Sequence, residues 1–317
     1  MKNLTEIIAD FEPGVELRYG ANPHQKAYVL RDPKAGGIAN AEKLWGKPLS
    51  ANNLFDADAA WGLLYDLHDE ACVIVKHANP CGVGKLEDCR DSFTAALECD
   101  RTSAFGGIIG VQVVTRDLAE LITTKGNFFE VIVACEYAPG AVGVLQQREG
   151  WGQNVRVLRA APPRQTETIQ SISGGVVVQE ADPNAADDEV CFLCATERET
   201  TEDEYEAACL QWQIVKHVKS NGITVGTKDR MLGMGTGQPN RVQSVRLALE
   251  QAGDGAKGAA LASDGFFPFP DSIKVAHTAG ITTIIQPGGS KKDVDVIAAA
   301  NEYGMAMIFT QIRHFRH

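Results

Sequence analysis

The sequence predicts an α/β protein in which one strand–helix unit is used twice. Three observations carry that reading. Apolar runs of strand type alternate with helical spacing along the whole chain, and the second half repeats the order of elements of the first. A chain of 317 residues is also too long for one ordinary domain and about right for two. Strands separated by helical stretches further predict largely parallel sheets.

In order along the chain, residues 56–67 (DADAAWGLLYDL) carry helical apolar spacing, and residues 71–75 (ACVIV) form a short continuous apolar run of buried-strand type. A Pro/Gly turn, ANPCGVG, leads to a helical stretch near Ser92–Leu97, then to SAFGGIIGVQVV and to strands at 131–134 (VIVA) and 155–158 (VRVL). The second half begins with a helix over about 203–218, followed by a strand at GITVG, a Gly-rich turn and a helix near Arg241–Gln251. ASDGFFPFP precedes a strand at ITTIIQ, a helix near Val294–Tyr303 and a strand at AMIFT. The expected units are residues 1–160 and 203–317, and the Ala-, Pro-, Thr- and acid-rich stretch 161–202 is the expected linker. The tetrapeptide IVKH occurs at 74–77 and 214–217, but one copy ends a strand and the other a helix, so it is coincidence rather than repeat.

Composition excludes several classes. A formal charge of −11 argues against a broad nucleic-acid surface, although a few converging arginines can still hold an anionic small molecule. No apolar run approaches the roughly 20 residues of a membrane helix, and the N-terminus lacks a secretory pattern, which predicts a cytoplasmic protein. The eight cysteines read as reduced thiols. Cys191 and Cys194 form one CxxC without partners, read as half-buried strand residues rather than zinc ligands.

The chemistry concentrates in a few places. In Lys76-His77-Ala78-Asn79-Pro80-Cys81-Gly82, an apolar strand delivers an ammonium and an imidazole side by side into a turn. A His there can act as general base and the Lys can stabilise a developing oxyanion; the bland alternative is a solvated strand end and a satisfied turn residue. The same turn lacks the Glu and second Cys of a zinc nucleobase deaminase, His77-Ala78-Asn79 and Pro80-Cys81-Gly82 standing in their place. The Gly-rich segment 233–238 fails as a dinucleotide fingerprint, since Gln238 replaces the third Gly, but allows a close backbone approach to a ligand. Arg241, opening the next helix, is a candidate cation for an anionic ligand. Phe266, Phe267 and Phe269 surround Pro268 and could either pack in the core or stack on a flat heterocycle. The terminal Arg313-His314-Phe315-Arg316-His317 follows an apolar strand, which would hold this tail inside a site instead of leaving it frayed.

Through RYGANPHQ, NNLFDADAA, VKHANPCGVG, SAFGG, FFEVIVA, VKSN, GMGTGQPNR, SDGFFPFPD, IIQPGG and RHFRH, spread in order over residues 18–317, the chain resembles the formyltransferase half of the bifunctional purine-biosynthesis enzymes that pair AICAR (5-aminoimidazole-4-carboxamide ribonucleotide) formyltransferase with IMP cyclohydrolase. With only residues 1–17 ahead of RYGANPHQ, it looks like a stand-alone version without the cyclohydrolase domain. The resemblance implies a duplicated cytidine-deaminase-like α/β/α fold without zinc, in a homodimer with sites at the subunit interface. It implies transfer of the formyl group of 10-formyltetrahydrofolate to the 5-amino group of AICAR. His77 would be the base, Lys76 would assist at the formyl oxygen or the folate nitrogen, and Asn221 would orient the formyl carbonyl. The ribonucleotide maps onto Arg18, Tyr19, Asn53, Gly106, Glu130, Arg313 and His317. The folate maps onto Arg241, Phe266, Pro268, Phe269 and Asp271, and the family also admits a structural potassium ion. The chain departs from the family at Ala21 (usually Glu), Asn240 (usually Ser) and Pro270 (usually Arg), the last bearing on the folate. Two other readings stand beside this one: a non-catalytic folate or nucleotide binder, and a formyltransferase using another formyl donor.

Overall fold

The computed structural model describes residues 11–12, 14–67, 71–163 and 167–317. Two six-stranded sheets dominate it. The first is assembled from β1 (Glu42–Trp45), β2 (Ala71–Lys76), β3 (Asn79–Lys85), β4 (Gly107–Val114), β5 (Phe129–Tyr137) and β6 (Arg156–Arg159), in the order β1-β6-β5-β4-β2-β3. Its helices are α1 (Ala51–Leu67), α2 (Cys89–Cys99), the single turn α3 (Arg101–Ala104), α4 (Arg116–Ile122) and α5 (Ala141–Gln147). A hairpin of β7 (Glu167–Ile172) and β8 (Gly175–Glu180) follows and forms its own two-stranded sheet. The second large sheet contains β9 (Leu193–Cys194), β10 (Ile223–Gly226), β11 (Met231–Gly235), β12 (Ala260–Ser263), β13 (Thr283–Gln286) and β14 (Ala306–Phe309), in the order β11-β10-β12-β13-β14-β9. Its helices are α6 (Glu202–Val215), α7 (Arg241–Ala252), α8 (Asp271–Thr278) and α9 (Asp293–Glu302).

The expected parallel character holds only at the centre of each sheet. β4, β5 and β6 run parallel, as do β12, β13 and β14, while the flanking pairs are antiparallel in both sheets. From one edge to the other, both sheets therefore show the same succession of pair senses.

Alternation decides the layers. In β2, Cys72 and Ile74 face a core shared with α2, α4 and α5, while Ala71, Val73 and Val75 face Trp61, Leu63 and Leu64 of α1. Leu210 and Ile214 of α6 join that second core, so α1 and α6 lie together between the sheets. The opposite face of α6, through Trp212 and Val215, packs on Ala260, Ala262 and Ile285 of the second sheet. Helices α7, α8 and α9 cover its far side. The helix starts follow ordinary capping: Asp88 and Asn240 accept N–H groups of α2 and α7, and Thr201 with Glu204 forms a reciprocal capping box on α6.

Two glycine-rich segments read as turns prove to be edge strands. NPCGVG lies in β3, with Ala78 left in the turn before it, and GMG lies in β11, while 236–238 continue as the turn toward α7. A Cβ on Gly82 would lie 1.9 Å from the carbonyl oxygen of Ala96, and one on Gly84 would lie 2.1 Å from that of Ser92. Gly233 and Gly235 stand in the same relation to Ala248 and Ser244, at 2.1 and 1.9 Å. In both sheets the glycines let the following helix lie directly on the strand, and Pro80 is tolerated because β3 is an edge. The 161–202 stretch, expected as a linker, holds the β7–β8 hairpin and β9. Of the CxxC pair, only Cys194 is on a strand and it is exposed; Cys191 ends a 3-10 turn, and among the described residues no disulfide forms.

Candidate active site

The Lys76–His77 segment is the tip of the β2–β3 hairpin. Lys76 pairs with Asn79, leaving His77 and Ala78 as a two-residue loop with φ of 53° and 58°. Positive φ at both positions is the signature of a type I′ turn, a place that favours Asn-Gly. A left-handed conformation at an L-residue costs roughly 1–2 kcal/mol, which His tolerates better than Ala. Contacts from outside the hairpin hold it. Asp56 of α1 accepts the His77 and Ala78 N–H groups at 3.1 and 2.8 Å, and Asn79 Nδ2 donates to the His77 carbonyl at 3.1 Å. The His77 side chain is exposed in a pocket of about 460 Å³ with Asp56, Asp58, Lys219, Arg316 and His317 on its walls. Lys76 Nζ points elsewhere, donating to the Phe105 carbonyl at 2.7 Å.

That bond leads toward the expected ribonucleotide residues. Gly106, at φ 76°, donates its N–H to the carbonyl of Phe128, whose ring stands beside Phe105 and Trp151. Phe128, Trp151, Arg18, Tyr19 and Glu130 line one pocket of about 240 Å³. Asn53 reaches it through a 3.1 Å hydrogen bond to Glu130 Oε2, which also takes Arg156 Nη1 at 3.2 Å. Burial, opposed by Glu130, pulls the Arg156 pKa below its usual value. Lys47 and Arg156 complete this pocket, so three cations surround one carboxylate, which suits an anionic group. Sequence reading missed both, because nothing in VRVL marks Arg156 as inward-facing.

A second cleft, of about 390 Å³, gathers all five expected folate residues together with Asn221: Arg241, Phe266, Pro268, Phe269 and Asp271. The aromatic cluster divides. Phe266 and Phe269 stay exposed at the cleft, while Phe267 is core. Arg241 does not offer a free charge. It is buried, its Nη1 pairs with the fully buried Asp264 and donates to Ser263 Oγ at 2.9 Å, and its Nη2 donates to Asn221 Oδ1 at 2.6 Å. Asp264 pairs the charge of Arg241, and the other guanidinium nitrogen orients Asn221, while Arg241 still lines the cleft. Asn221 Nδ2 donates to the Gln238 carbonyl at 2.8 Å, and an amide carries a second N–H for another acceptor. Asn240 caps α7, the task a Ser would also perform, and Pro270 immediately precedes α8 outside the cleft lining.

The C-terminal tail forms a wall common to several cavities. Phe315 lines the cleft of Asn221 and Arg241 and also a cavity of about 970 Å³, which contains Arg313, Arg316 and His317. Arg316 and His317 extend into the His77 pocket. The Arg313 guanidinium lies 4.2 Å from the Phe315 ring centroid. Within one chain Arg313 and His317 therefore do not share the pocket of Arg18, Tyr19 and Glu130. The tail is anchored by His314, buried between Asp182 and Asp188 at 2.7 Å each. Among the described residues no group of three or more His, Cys, Asp or Glu side chains could hold a metal ion, and no helix is long and apolar enough to cross a membrane.

A family model described as the AICARFT/IMPCHase bienzyme matches residues 2–251. The bifunctional purine biosynthesis protein PurH of Bacillus cytotoxicus is 45% identical over 318 residues, covering 98% of this chain and 61% of that protein. PurH of Bacillus subtilis is 44% identical over 322 residues, covering 100% and 62%. The chain thus spans about three-fifths of the length of the curated relatives it matches. A solved structure, Acinetobacter baumannii RibD form 2, aligns at 18% identity over 29% of this chain and 30% of that one with a TM-score of 0.22, too slight a likeness to carry an argument.

Proposed function

The chain belongs to the AICARFT/IMPCHase bienzyme family, and from that premise we propose that it transfers the formyl group of 10-formyltetrahydrofolate to the 5-amino group of AICAR. The observation that carries this reading is the cleft in which Asn221, Arg241, Phe266, Pro268, Phe269 and Asp271 converge from separate segments of the chain. Two exposed rings at its rim suit a flat pterin-type heterocycle, and the pocket of Arg18, Lys47 and Arg156 suits a phosphate.

The amine is a weak nucleophile because the ring carboxamide withdraws its electrons. In the proposed reaction its nitrogen attacks the formyl carbon while His77 removes the amine proton. The tetrahedral intermediate places negative charge on the formyl oxygen, toward which the second Nδ2 hydrogen of Asn221 would donate; Lys76, on turning a donor away from the Phe105 carbonyl, would assist there or at the folate nitrogen. Its collapse breaks the bond to the folate nitrogen, and a proton returned there releases tetrahydrofolate. Placement of the two substrates supplies much of the acceleration. No step runs through a metal, and no ligands are assigned to a potassium ion.

We read the two sheets as two copies of one cytidine-deaminase-like unit, residues 1–160 and 203–317, with β9 of the intervening stretch adding the edge strand of the second. The shared succession of pair senses and the matching helix contacts at Gly82, Gly84, Gly233 and Gly235 support this. We also propose a homodimer in which one subunit's Arg18 pocket is apposed to the partner's tail and Asn221 cleft, since these groups line separate cavities in one chain.

The test is to incubate the purified protein with AICAR and 10-formyltetrahydrofolate and to follow formyl-AICAR and free tetrahydrofolate together. Stoichiometric formation of both is expected. Binding of both compounds without turnover would favour a non-catalytic binder, and turnover only with a different donor would favour the third reading.

A further inference from the structure

We propose that Asp56 is a positioning residue, the clamp that sets the geometry of the Lys76–His77 turn. This rests on the formyl-transfer reading of that turn. The turn asks for left-handed backbone at two successive positions, and the chain places His and Ala there instead of Asn and Gly. In such a loop the N–H groups of both central residues point away from the hairpin and need an outside acceptor. Asp56 supplies it with one oxygen for each, Oδ2 for His77 and Oδ1 for Ala78. Its backbone belongs to α1, a 17-residue helix packed between the sheets through Trp61, Leu63 and Leu64, so the clamp has a firm mount. The carboxylate therefore ties the direction of the His77 imidazole to a long, well-packed helix of the first unit.

Asn79 completes the fixture. It holds the His77 carbonyl with Nδ2, and its Oδ1 accepts the Lys219 N–H at 3.2 Å and Thr236 Oγ1 at 2.9 Å. The segment bearing Asn221 is thereby tied to the hairpin tip. A carboxylate suits position 56 better than an amide, because both of its oxygens accept, whereas Asn offers one acceptor and a donor that faces a donor.

The experiment compares wild type, Asp56→Asn and the double variant Asp56→Asn/Ala78→Gly. For Asp56→Asn, kcat is expected to fall about 10²-fold, the scale of a small misplacement of a reacting group. KM for AICAR should change by less than about threefold, since the Arg18 pocket is untouched. In the double variant glycine adopts the turn unaided, and at least about tenfold of kcat should return. Unchanged kcat in Asp56→Asn, or a loss that Ala78→Gly does not relieve, overturns the proposal. Should Asp56→Asn fail to fold, the double variant must fold; failure of both places Asp56 in general architecture and overturns it as well. Backbone amide exchange at residues 77 and 78 gives a readout independent of turnover. It should accelerate in Asp56→Asn, and unchanged protection overturns the clamp even if the wild type proves inactive on these substrates. Wild-type inactivity alone counts against formyl transfer.

Discussion

Arg241 Nη2 donates to Asn221 Oδ1 at 2.6 Å, while Nη1 of the same guanidinium pairs with Asp264, which has no solvent exposure. Asp264 also receives the Ser220 hydroxyl at 2.5 Å and the Gly222 N–H at 2.9 Å, so it gathers the segment around Asn221 from three sides. Arg241→Met leaves that carboxylate buried without its cation and should destabilise the protein by roughly 3–5 kcal/mol. Adding Asp264→Asn should restore part of the loss, read from urea midpoints of the two variants. Equal midpoints for Arg241→Met and wild type would deny the pairing any structural weight.

His77 carries the most direct chemical expectation. His77→Ala should lower turnover by about 10²-fold or more, the scale of a lost general base, while AICAR binding persists. Binding should survive because His77 lines a different pocket from Arg18, Tyr19 and Glu130. Calorimetric titration with AICAR beside steady-state kinetics separates the two effects. Undiminished turnover would remove His77 from the mechanism.

Some of the site was legible in the sequence and some was not, for physical reasons. Asn221, Arg241, Phe266, Pro268, Phe269 and Asp271 line one cleft, and what singled them out in the sequence was the family resemblance that their motifs carry. The role of Arg241 was not legible, since its neutralising partner is 23 residues away and nothing in SDG marks Asp264 as buried. Asp56 was invisible for a similar reason: on a helix an acid reads as a solvated face until a hairpin 21 residues later presents its N–H groups. Alternation and helical spacing located α1, β2, α6 and α7, but they misjudged β3 and β11. Glycine in those strands answers to the carbonyls of a following helix, information that local sequence does not carry.

The tail anchor predicts a pH dependence with two limbs. Burial works against charging His314, yet Asp182 and Asp188 together hold its pKa above the ordinary value of about 6.5. A raised folded pKa means that its stabilisation is fully present below about 6.5 and fades as pH climbs through the folded value. Burial drives His217 the other way, below 6.5, against the pull of Asp66. Its contribution is present above about 6.5 and is lost as pH falls through the lowered value. Stability should therefore decline on both sides of neutrality. In urea titrations from about pH 5 to 9, His314→Gln should flatten the alkaline limb and His217→Gln the acid limb. An alkaline limb as steep in His314→Gln as in wild type would show that the anchor is not ionic.

The two glycine strands offer a test of packing and of duplication together. An ideal Cβ at Gly82 lies 1.9 Å from the Ala96 oxygen, and one at Gly235 lies 1.9 Å from the Ser244 oxygen. Those oxygens are backbone atoms of α2 and α7, so neither can swing aside as a side chain would; the helix itself must lift from the sheet. Overpacking of this kind costs roughly 1–3 kcal/mol and more where the neighbour is rigid, so Gly82→Ala and Gly235→Ala should both fall at or beyond the upper end. Gly143, inside α5 with nothing within 4 Å of an added methyl, is the internal control. There the smaller backbone entropy of alanine should raise stability by about 0.5–1 kcal/mol. Thermal midpoints of the three variants decide the matter. If the first two lose stability to a similar extent while Gly143→Ala gains, edge-strand glycine serves helix contact in both sheets alike; a harmless Gly235→Ala would mean that the second sheet packs its helix by a different rule.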